Sequence, residues 1–284
     1  MDESSIRTAA DIAKYTLETT STYEDVVQPG AKQVGKALET VGKTVNAALA
    51  PLRVLVWSIE QVEEYLKQAL TERLAKVPPE NIVTPRPELA GPAMEALRFS
   101  GDEESLRDLY ANLLATAMDR DTAQTAHPAF VEILKQLSPD EAKILAYVAG
   151  CPTTKLALLT IRGELVATEE NPTPGKGGWD ILQRHCIVGE DAGCAHAELT
   201  GSYLNNLERL GVVELHDTYH WTSPEGEAEY TRLEEHLKAQ EAIAYVESND
   251  GLSLTINKGS IKITNLGHQF IEACVVDRSD TTID

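Results

Sequence analysis

Four residues of the kinds that bind zinc lie within the twelve-residue stretch HCIVGEDAGCAH: His185, Cys186, Cys194 and His196. Structural zinc sites usually space paired ligands by about two to five intervening residues. Here one pair is adjacent, the other is separated by one residue, and an acidic loop lies between them. We therefore predict an ordinary surface loop, with no metal ion and no cofactor, and keep a metal site as the minor alternative.

A second group that could do chemistry is Asp119, Asp121 and His127, in MDRDTAQTAHP. A carboxylate and an imidazole could act together as general base and acid in a hydrolase. Aspartate is also a preferred residue at helix ends, and this stretch lies between two predicted helices. We favour capping, with a hydrolase using Asp119 and His127 as an alternative. Phosphate-binding, nucleophile-elbow and HExxH motifs are absent from the sequence, so we predict that the protein is not an enzyme.

The charge of the whole chain limits the partners we expect. The formal net charge is −20, from 45 acidic and 25 basic residues. Proteins that bind duplex nucleic acid usually present a basic surface, and anionic lipid repels an acidic one. We therefore expect a protein partner or self-association rather than nucleic acid, and only local contact with the inner membrane on activation.

The location expected from the sequence is the cytoplasm. The beginning, MDESSIRTAADIAKY, is polar and acidic, unlike a secretory signal. The sequence also has no run of about 18 apolar residues of the kind that spans a bilayer. A peripheral position at the inner membrane is the alternative.

Residues 1–137 are predicted to form an all-helical domain. Apolar residues recur at helical spacing in SGDEESLRDLYANLLATAMDRD and in HPAFVEILKQL. The five prolines of VPPENIVTPRPELAGP predict an extended loop, followed by a short helix from about residue 93 to 99.

The longest predicted helix covers about residues 31–76. Its apolar positions step by three and four, while VLVW at 54–57 is apolar all round and must be buried in protein or in lipid. Three interpretations stay open: a helix enclosed by its neighbours, an interfacial membrane helix, and an oligomer seam. The residues predicted to contact a membrane or a partner are Val45, Leu49, Leu52, Val54, Leu55, Val56, Trp57, Lys36, Lys43 and Arg53.

Residues 138–284 are predicted to form a winged-helix-like α+β domain, which makes the whole fold mainly α. SPDEAKILAYVAG begins with a capping box of Ser138 and Glu141. The alternating stretch LSLTINKGSIKIT predicts a β-hairpin wing with its turn at 257–259. A loop insertion is predicted at 168–196.

The helix AHAELTGSYLNNLERLG would be the docking helix of this domain, through Asn205, Asn206 and Arg209. Residues 138–284 hold 24 acids and 11 bases, and Arg209 is the only base on this helix. Contacts to DNA phosphates require positive side chains. Docking of a protein is therefore favoured, with a DNA-binding transcriptional regulator as the alternative.

Several blocks of the sequence together resemble one family. They are PGAKQVGKALETVGKTVNAALAPL, PPENIVTPRPELAGPAMEALRFSGDEESLRDLYANLLATAMDRDTAQTAHPAFVEILKQLSPDEAKIL and, more loosely, LERLGVVE with GSIKITNLGHQFIEACV. In wording and order they resemble the Abi-alpha (abortive-infection alpha) family of bacterial proteins. The resemblance implies a role in phage defence and host-cell shutdown, and it brings no catalytic residues.

We therefore expect a non-enzymatic phage-defence protein. Its helical domain would act on a partner or a membrane, and its winged-helix-like domain would sense or dock.

Overall fold

The structure is a computed structural model that describes residues 56–151, 153, 155–166 and 177–276. The chain divides into two units, Met1–Val56 and Trp57–Asp284, and the elements below belong to the second. Within the described residues, the α-helices before the first strand are α1 (Ile59–Arg73), α2 (Pro87–Ser100), α3 (Glu104–Met118), α4 (Ala129–Leu134) and α5 (Pro139–Gly150). Then follow β1 (Lys155–Leu165), β2 (Gly178–His185), α6 (Val188–Asp191), α7 (Thr200–Arg209), β3 (Val213–His216), α8 (Pro224–Glu235), α9 (Leu237–Glu247), β4 (Leu252–Ile263) and α10 (Asn265–Phe270).

Helix α1 begins at a capping box formed by Ser58 and Gln61. The Ser58 hydroxyl accepts from the Gln61 N–H, and the Gln61 side chain accepts from the Ser58 N–H. Ser58 itself has extended backbone, with ψ of 164°. The helix predicted over 31–76 therefore does not run unbroken: its described part begins at Ile59 and ends at Arg73, and 31–55 lie outside the described residues.

Helix α2 begins earlier than predicted, at Pro87 instead of about residue 93. Proline is favourable in the first turn of a helix because the missing N–H would have no partner there. Pro92 lies inside the same helix. The extended loop predicted as far as Pro92 is therefore wrong after Arg86.

Helix α3 forms where the apolar pattern predicted a helix. Ten of its fifteen residues are buried. The capping box of α5 is also confirmed: the Ser138 hydroxyl accepts from the Glu141 N–H, and the Glu141 carboxylate accepts from the Ser138 N–H.

The described strands form one antiparallel sheet in the order β2-β1-β4-β3. Strand β4 pairs with the whole length of β1, from Leu252 opposite Leu165 to Lys262 opposite Lys155. The hairpin wing predicted at 252–263 is therefore wrong, because Asn257 lies in the strand opposite Thr160. Strand β1 was not predicted from the sequence. Its backbone pairs with β4 at the positions where the hairpin turn was expected. The winged-helix assignment is thus not confirmed.

The loop predicted at 168–196 is also only partly correct. It contains β2, which pairs with β1, and the short helix α6. Residues 167–176 lie outside the described residues. Further on, α8 and α9 are separate helices, because His236 between them has extended backbone.

The sheet separates two apolar clusters. Leu158, Ile261 and Val213 face the larger cluster, which includes the helices from α1 to α5 together with α7 and α10. Leu159 and Ile161 face a smaller cluster under α8 and α9. The larger cluster contains residues on both sides of the predicted boundary between 137 and 138, and that boundary stays a prediction.

None of the helices within the described ranges has the length and apolar character needed to cross a bilayer.

Candidate functional site

An apolar groove lies between α1 and α2. Its volume is about 330 Å³. Ile59 at its edge is 56% exposed, and Phe99, the residue after Arg98 on α2, is 67% exposed. We call this site the α1–α2 groove; its lining residues are Ile59, Val62, Gly91, Met94, Glu95 and Arg98. Large apolar side chains that remain exposed together often mark a surface that binds a partner.

Trp57 is held against the helical part by three hydrogen bonds and a ring contact. Its backbone N–H donates to the Arg98 carbonyl at 2.8 Å, and Arg98 Nε donates to the Trp57 carbonyl at 3.2 Å. The indole Nε1–H donates to Asp102 Oδ1 at 2.8 Å, and the Tyr65 ring lies edge-on with centroids 5.6 Å apart. The indole is therefore partly buried within the protein.

Of the other residues predicted to contact a membrane or a partner, the structure describes only Val56, which is partly buried. Val45, Leu49, Leu52, Val54, Leu55, Lys36, Lys43 and Arg53 lie outside the described residues. Their contact role stays a prediction.

A chain of hydrogen bonds connects α1, which forms one wall of the groove, to the segment that follows α10. Tyr65 donates to Asp108 Oδ1 at 2.8 Å, and the buried Arg73 lies 3.3 Å from the same carboxylate. Arg73 Nε donates to Asn112 Oδ1 at 2.5 Å, and Asn112 Nδ2 donates to the Cys274 carbonyl at 3.0 Å. Burial, and next the hydrogen bond to Asp108, raise the pKa of Tyr65 well above its usual value. The network fixes α1, and with it one wall of the groove.

The predicted docking residues of α7 do not form one free surface. Asn206 Nδ2 donates to the Gln136 carbonyl at 3.1 Å and to Glu141 Oε1 at 2.7 Å. Arg209 donates twice to Asn206 Oδ1, at 3.0 and 2.6 Å. Asn205 is exposed and accepts from a guanidinium group of β2. Asn206 therefore joins α7 to the beginning of α5, while Asn205 and Arg209 remain accessible.

Asp140 explains the position of the Cys194–His196 part of the stretch examined for metal binding. Its buried carboxylate accepts from the backbone N–H groups of Ala195 and His196, each at 2.9 Å. Tyr203 donates to it at 3.1 Å, and so does Lys143. Burial alone would raise the pKa of Asp140, but these donors outweigh it and lower the pKa to about 2. The loop serves to hold this carboxylate.

His185 lies apart from that loop contact, in a buried pair of imidazole rings. Its ring centroid is 4.8 Å from that of His236, whose Nε2 lies 3.2 Å from Glu190 Oε1. Burial, and next the neighbouring His236, lower the pKa of His185 to about 4. Throughout the described ranges, no group of three or more His, Cys, Asp and Glu side chains is arranged to hold a metal ion.

The residues considered for hydrolysis make local backbone contacts. Asp119 Oδ1 accepts from the Asp121 N–H at 3.1 Å, and His127 Nδ1 accepts from the Ala129 N–H at 3.1 Å. Asp121 Oδ2 accepts from Asn81 Nδ2 at 3.1 Å. The contacts of Asp119 and His127 are of the capping kind that the sequence favoured, whereas the contact of Asp121 joins two side chains 40 positions apart.

A cleft of about 400 Å³ between β1 and α8 contains the thiols of Cys151 and Cys186. Burial raises the pKa of both, and that of Cys186 to about 12. A thiol acts as a nucleophile only as a thiolate, so these cysteines are poorly suited to covalent chemistry.

Neither the α1–α2 groove nor the network of Arg73 was predicted from the sequence. Ile59 ended the apolar stripe of the predicted long helix, which was the available signal for the groove. The local sequence does not predict the partners of Arg73, because they are 35 and 39 positions away along the chain.

Comparison with known proteins adds a family to this geometry. A family model described as "Abortive infection alpha" matches residues 58–274, from the cap of α1 to the π-helical segment Ile271–Val275 that follows α10. No curated protein matches the chain. Among solved structures, an uncharacterized protein from the hydrocarbon-degrading marine bacterium Alcanivorax borkumensis SK2 is 24% identical, with a TM-score of 0.33, over 55% of this chain and 97% of that one.

Proposed function

Because the chain belongs to the abortive infection alpha family, we propose that it acts in abortive infection by binding a protein partner and that it catalyses no reaction. Family membership supports the abortive-infection role. The α1–α2 groove supports binding, since it combines the buried Val62 with the exposed Ile59, and the exposed Phe99 follows its lining residue Arg98. Action in the cytoplasm and a sensing role for the part that follows residue 137 belong to the same proposal.

The partner surface is proposed to be a helix with an apolar stripe and basic flanks. The groove would take the apolar side chains. Glu60, Glu63 and Glu64 are exposed on α1 beside the lining residues Ile59 and Val62. Carboxylates at the rim of an interface favour a partner of opposite charge and exclude acidic ones.

Substitutions in the groove test this proposal in bacteria challenged with phage. Ile59→Asp and Met94→Asp should abolish protection, because a carboxylate in the apolar floor would have to be desolvated by the partner. Leu237→Asp is the matched control, since Leu237 is 69% exposed on α9, outside the groove. Full protection by Ile59→Asp and Met94→Asp at normal protein levels would refute the groove as the binding surface.

Charge reversal tests the chemistry of the partner separately. The double change Glu60→Lys and Glu63→Lys should reduce protection, while Glu241→Lys, at an exposed position of α9, should not. If both variants protect equally, the partner is not basic. If the partner is a second copy of the chain, sedimentation will show a dimer that Ile59→Asp dissociates.

Contact with the inner membrane is the alternative for the segment up to Trp57. The apolar run at 54–57 and the basic residues before it motivate this account. Under it, purified protein should release dye from anionic liposomes, and Val56→Asp should prevent the release. Liposomes that retain their dye under all activating conditions would contradict contact with the membrane.

The docking proposal for α7 now concerns Asn205 and Arg209. Changing these two residues to alanine should weaken partner binding without loss of stability. Asn206→Ala should lower stability, because it removes the donor to the Gln136 carbonyl and to Glu141 Oε1.

A further inference from the structure

A small pit at the β3 edge of the sheet is lined by two lysines, although the chain as a whole is acidic. Its volume is about 290 Å³. It lies on the face of the sheet that also carries Ala157, which belongs to the smaller apolar cluster. We call it the β3-edge pit, and its lining residues are Lys155, Glu214, His216, Tyr219, Ser260 and Lys262.

Two lysines face each other across the strands of this pit. Lys155 on β1 pairs directly with Lys262 on β4, and Lys262 pairs on its other side with Glu214 on β3. Like charges directly opposite each other destabilise a sheet. Within the described ranges, neither ammonium group has an ion pair or hydrogen bond, although the chain carries 45 acidic residues. Lys155 Nζ lies over the Tyr219 ring and Lys262 is exposed, so both positive charges face the pit without an acidic partner among the described residues and can contact a negatively charged ligand.

The remaining residues of the pit add a hydroxyl group and an aromatic ring. Ser260 lines the pit and is 1% exposed. Tyr219 is 56% exposed, with Lys155 Nζ 5.4 Å from its ring centroid and the His216 ring at 5.9 Å. An exposed aromatic ring can stack on a planar group of a ligand.

We propose that the β3-edge pit binds a small ligand that carries both a phosphate group and a planar ring, that is, a compound of the mononucleotide class. Lys155 and Lys262 contact the phosphate, and the Ser260 hydroxyl donates to it. Tyr219 stacks on the ring. The volume is at the lower end of the range of about 300–1,000 Å³ typical of small-molecule sites, so a single nucleotide is close to the largest ligand that fits.

The carboxylate of Glu214 predicts the direction in which a substitution should change the affinity for the ligand. Its carboxylate lies 3.4 Å from His216 Nε2 and borders the same pit, so it opposes an anionic ligand. Neutralising this acid should therefore strengthen binding, whereas neutralising either lysine should weaken it.

Calorimetry with AMP, adenosine and inorganic phosphate on the full chain tests the inference. We expect AMP to bind more tightly than adenosine or phosphate. Lys155→Gln and Lys262→Gln should each weaken AMP binding about tenfold, because each removes a charge-assisted contact. Glu214→Gln should tighten AMP binding. Lys67→Gln, at an exposed position of α1, is the matched control and should change nothing.

Tyr219→Ala separates the two parts of the ligand. It should weaken AMP while leaving the weaker binding of inorganic phosphate unchanged. No detectable AMP binding, or AMP binding that both lysine variants retain, overturns the proposal. Equal binding of phosphate and AMP, unaffected by Tyr219→Ala, overturns the assignment to nucleotides. Because the pit and the α1–α2 groove have no lining residue in common, either proposal can fail without the other.

Discussion

At the scale of single residues, Gly101 is required by space and not by backbone conformation. Its φ is −61°, which any residue adopts. A Cβ atom there would lie 2.2 Å from the Trp57 ring. The absence of a side chain is therefore what lets the indole pack over the end of α2 and donate to Asp102.

We predict that Gly101→Ala lowers the free energy of unfolding by about 1–3 kcal/mol, the usual cost of overpacking. Urea denaturation measures this. Gly201→Ala is the control, because nothing lies within 4 Å of a Cβ at Gly201. Alanine is the better helix former by up to about 1 kcal/mol, so that control should be neutral or more stable. Equal midpoints for the two variants would show that the indole is not packed as described.

Asp140 gives a pH dependence with a definite sign. Its folded-state pKa of about 2 is below the ordinary 3.8, so the ionised form stabilises the fold. This stabilisation is complete above about pH 4 and is lost as the pH falls toward 2.

Asp140→Asn should therefore lower the free energy of unfolding at neutral pH by about 2 kcal/mol. It should also make stability fall less steeply between about pH 4 and 2 than in the unmodified protein. Thermal unfolding across this range measures both effects, with the exposed Asp250→Asn as control. An unchanged acid slope in Asp140→Asn would contradict the assigned role.

At the scale of elements, β4 shows how local and tertiary preferences compete. The residues at 257–259, Asn-Lys-Gly, have turn chemistry and lie between two alternating stretches. In the structure they are extended, because β1 offers a partner at every position from Lys155 to Leu165. Gly259 is needed for a different reason, since a Cβ there would lie 2.4 Å from the His216 carbonyl oxygen.

Asn257→Val should be neutral or stabilising by up to about 1 kcal/mol, because valine favours an extended strand. The same change would destabilise a hairpin turn. Chemical denaturation gives the sign, and hydrogen exchange should show protection of the amides around residue 257. A clear loss of stability together with fast hydrogen exchange at this position would contradict the continuous strand and favour the predicted hairpin.

At the scale of the whole molecule, the net charge of −20 remains the main restriction on partners. The exposed part of α7 adds one guanidinium group, that of Arg209, and this group already donates to Asn206. Counterion release from DNA requires several positive groups in one surface.

A gel-shift assay with duplex DNA should show no retarded band even at low salt, because the phosphates would be repelled. A basic protein of known DNA affinity is the positive control. A band that appears at low salt and disappears steeply as salt is added would favour the transcriptional regulator instead.

The sequence by itself determined the elements whose signals are local. The helical pattern of α3 and the capping box at Ser138 were correct because each depends on residues a few positions apart. The family resemblance was confirmed as well, and it rests on the order of several sequence blocks. The overall helical character followed from these elements.

Only the tertiary structure decided which residues meet. Strand β1 has a nearly continuous apolar run because both of its faces are covered, so it has no clear alternation to recognise. The partners of Asp140 are up to 63 positions away, and the lysines of the β3-edge pit are brought together by pairing of β1 with β4. Such contacts depend on strand register and on packing between distant segments, which local periodicity does not encode.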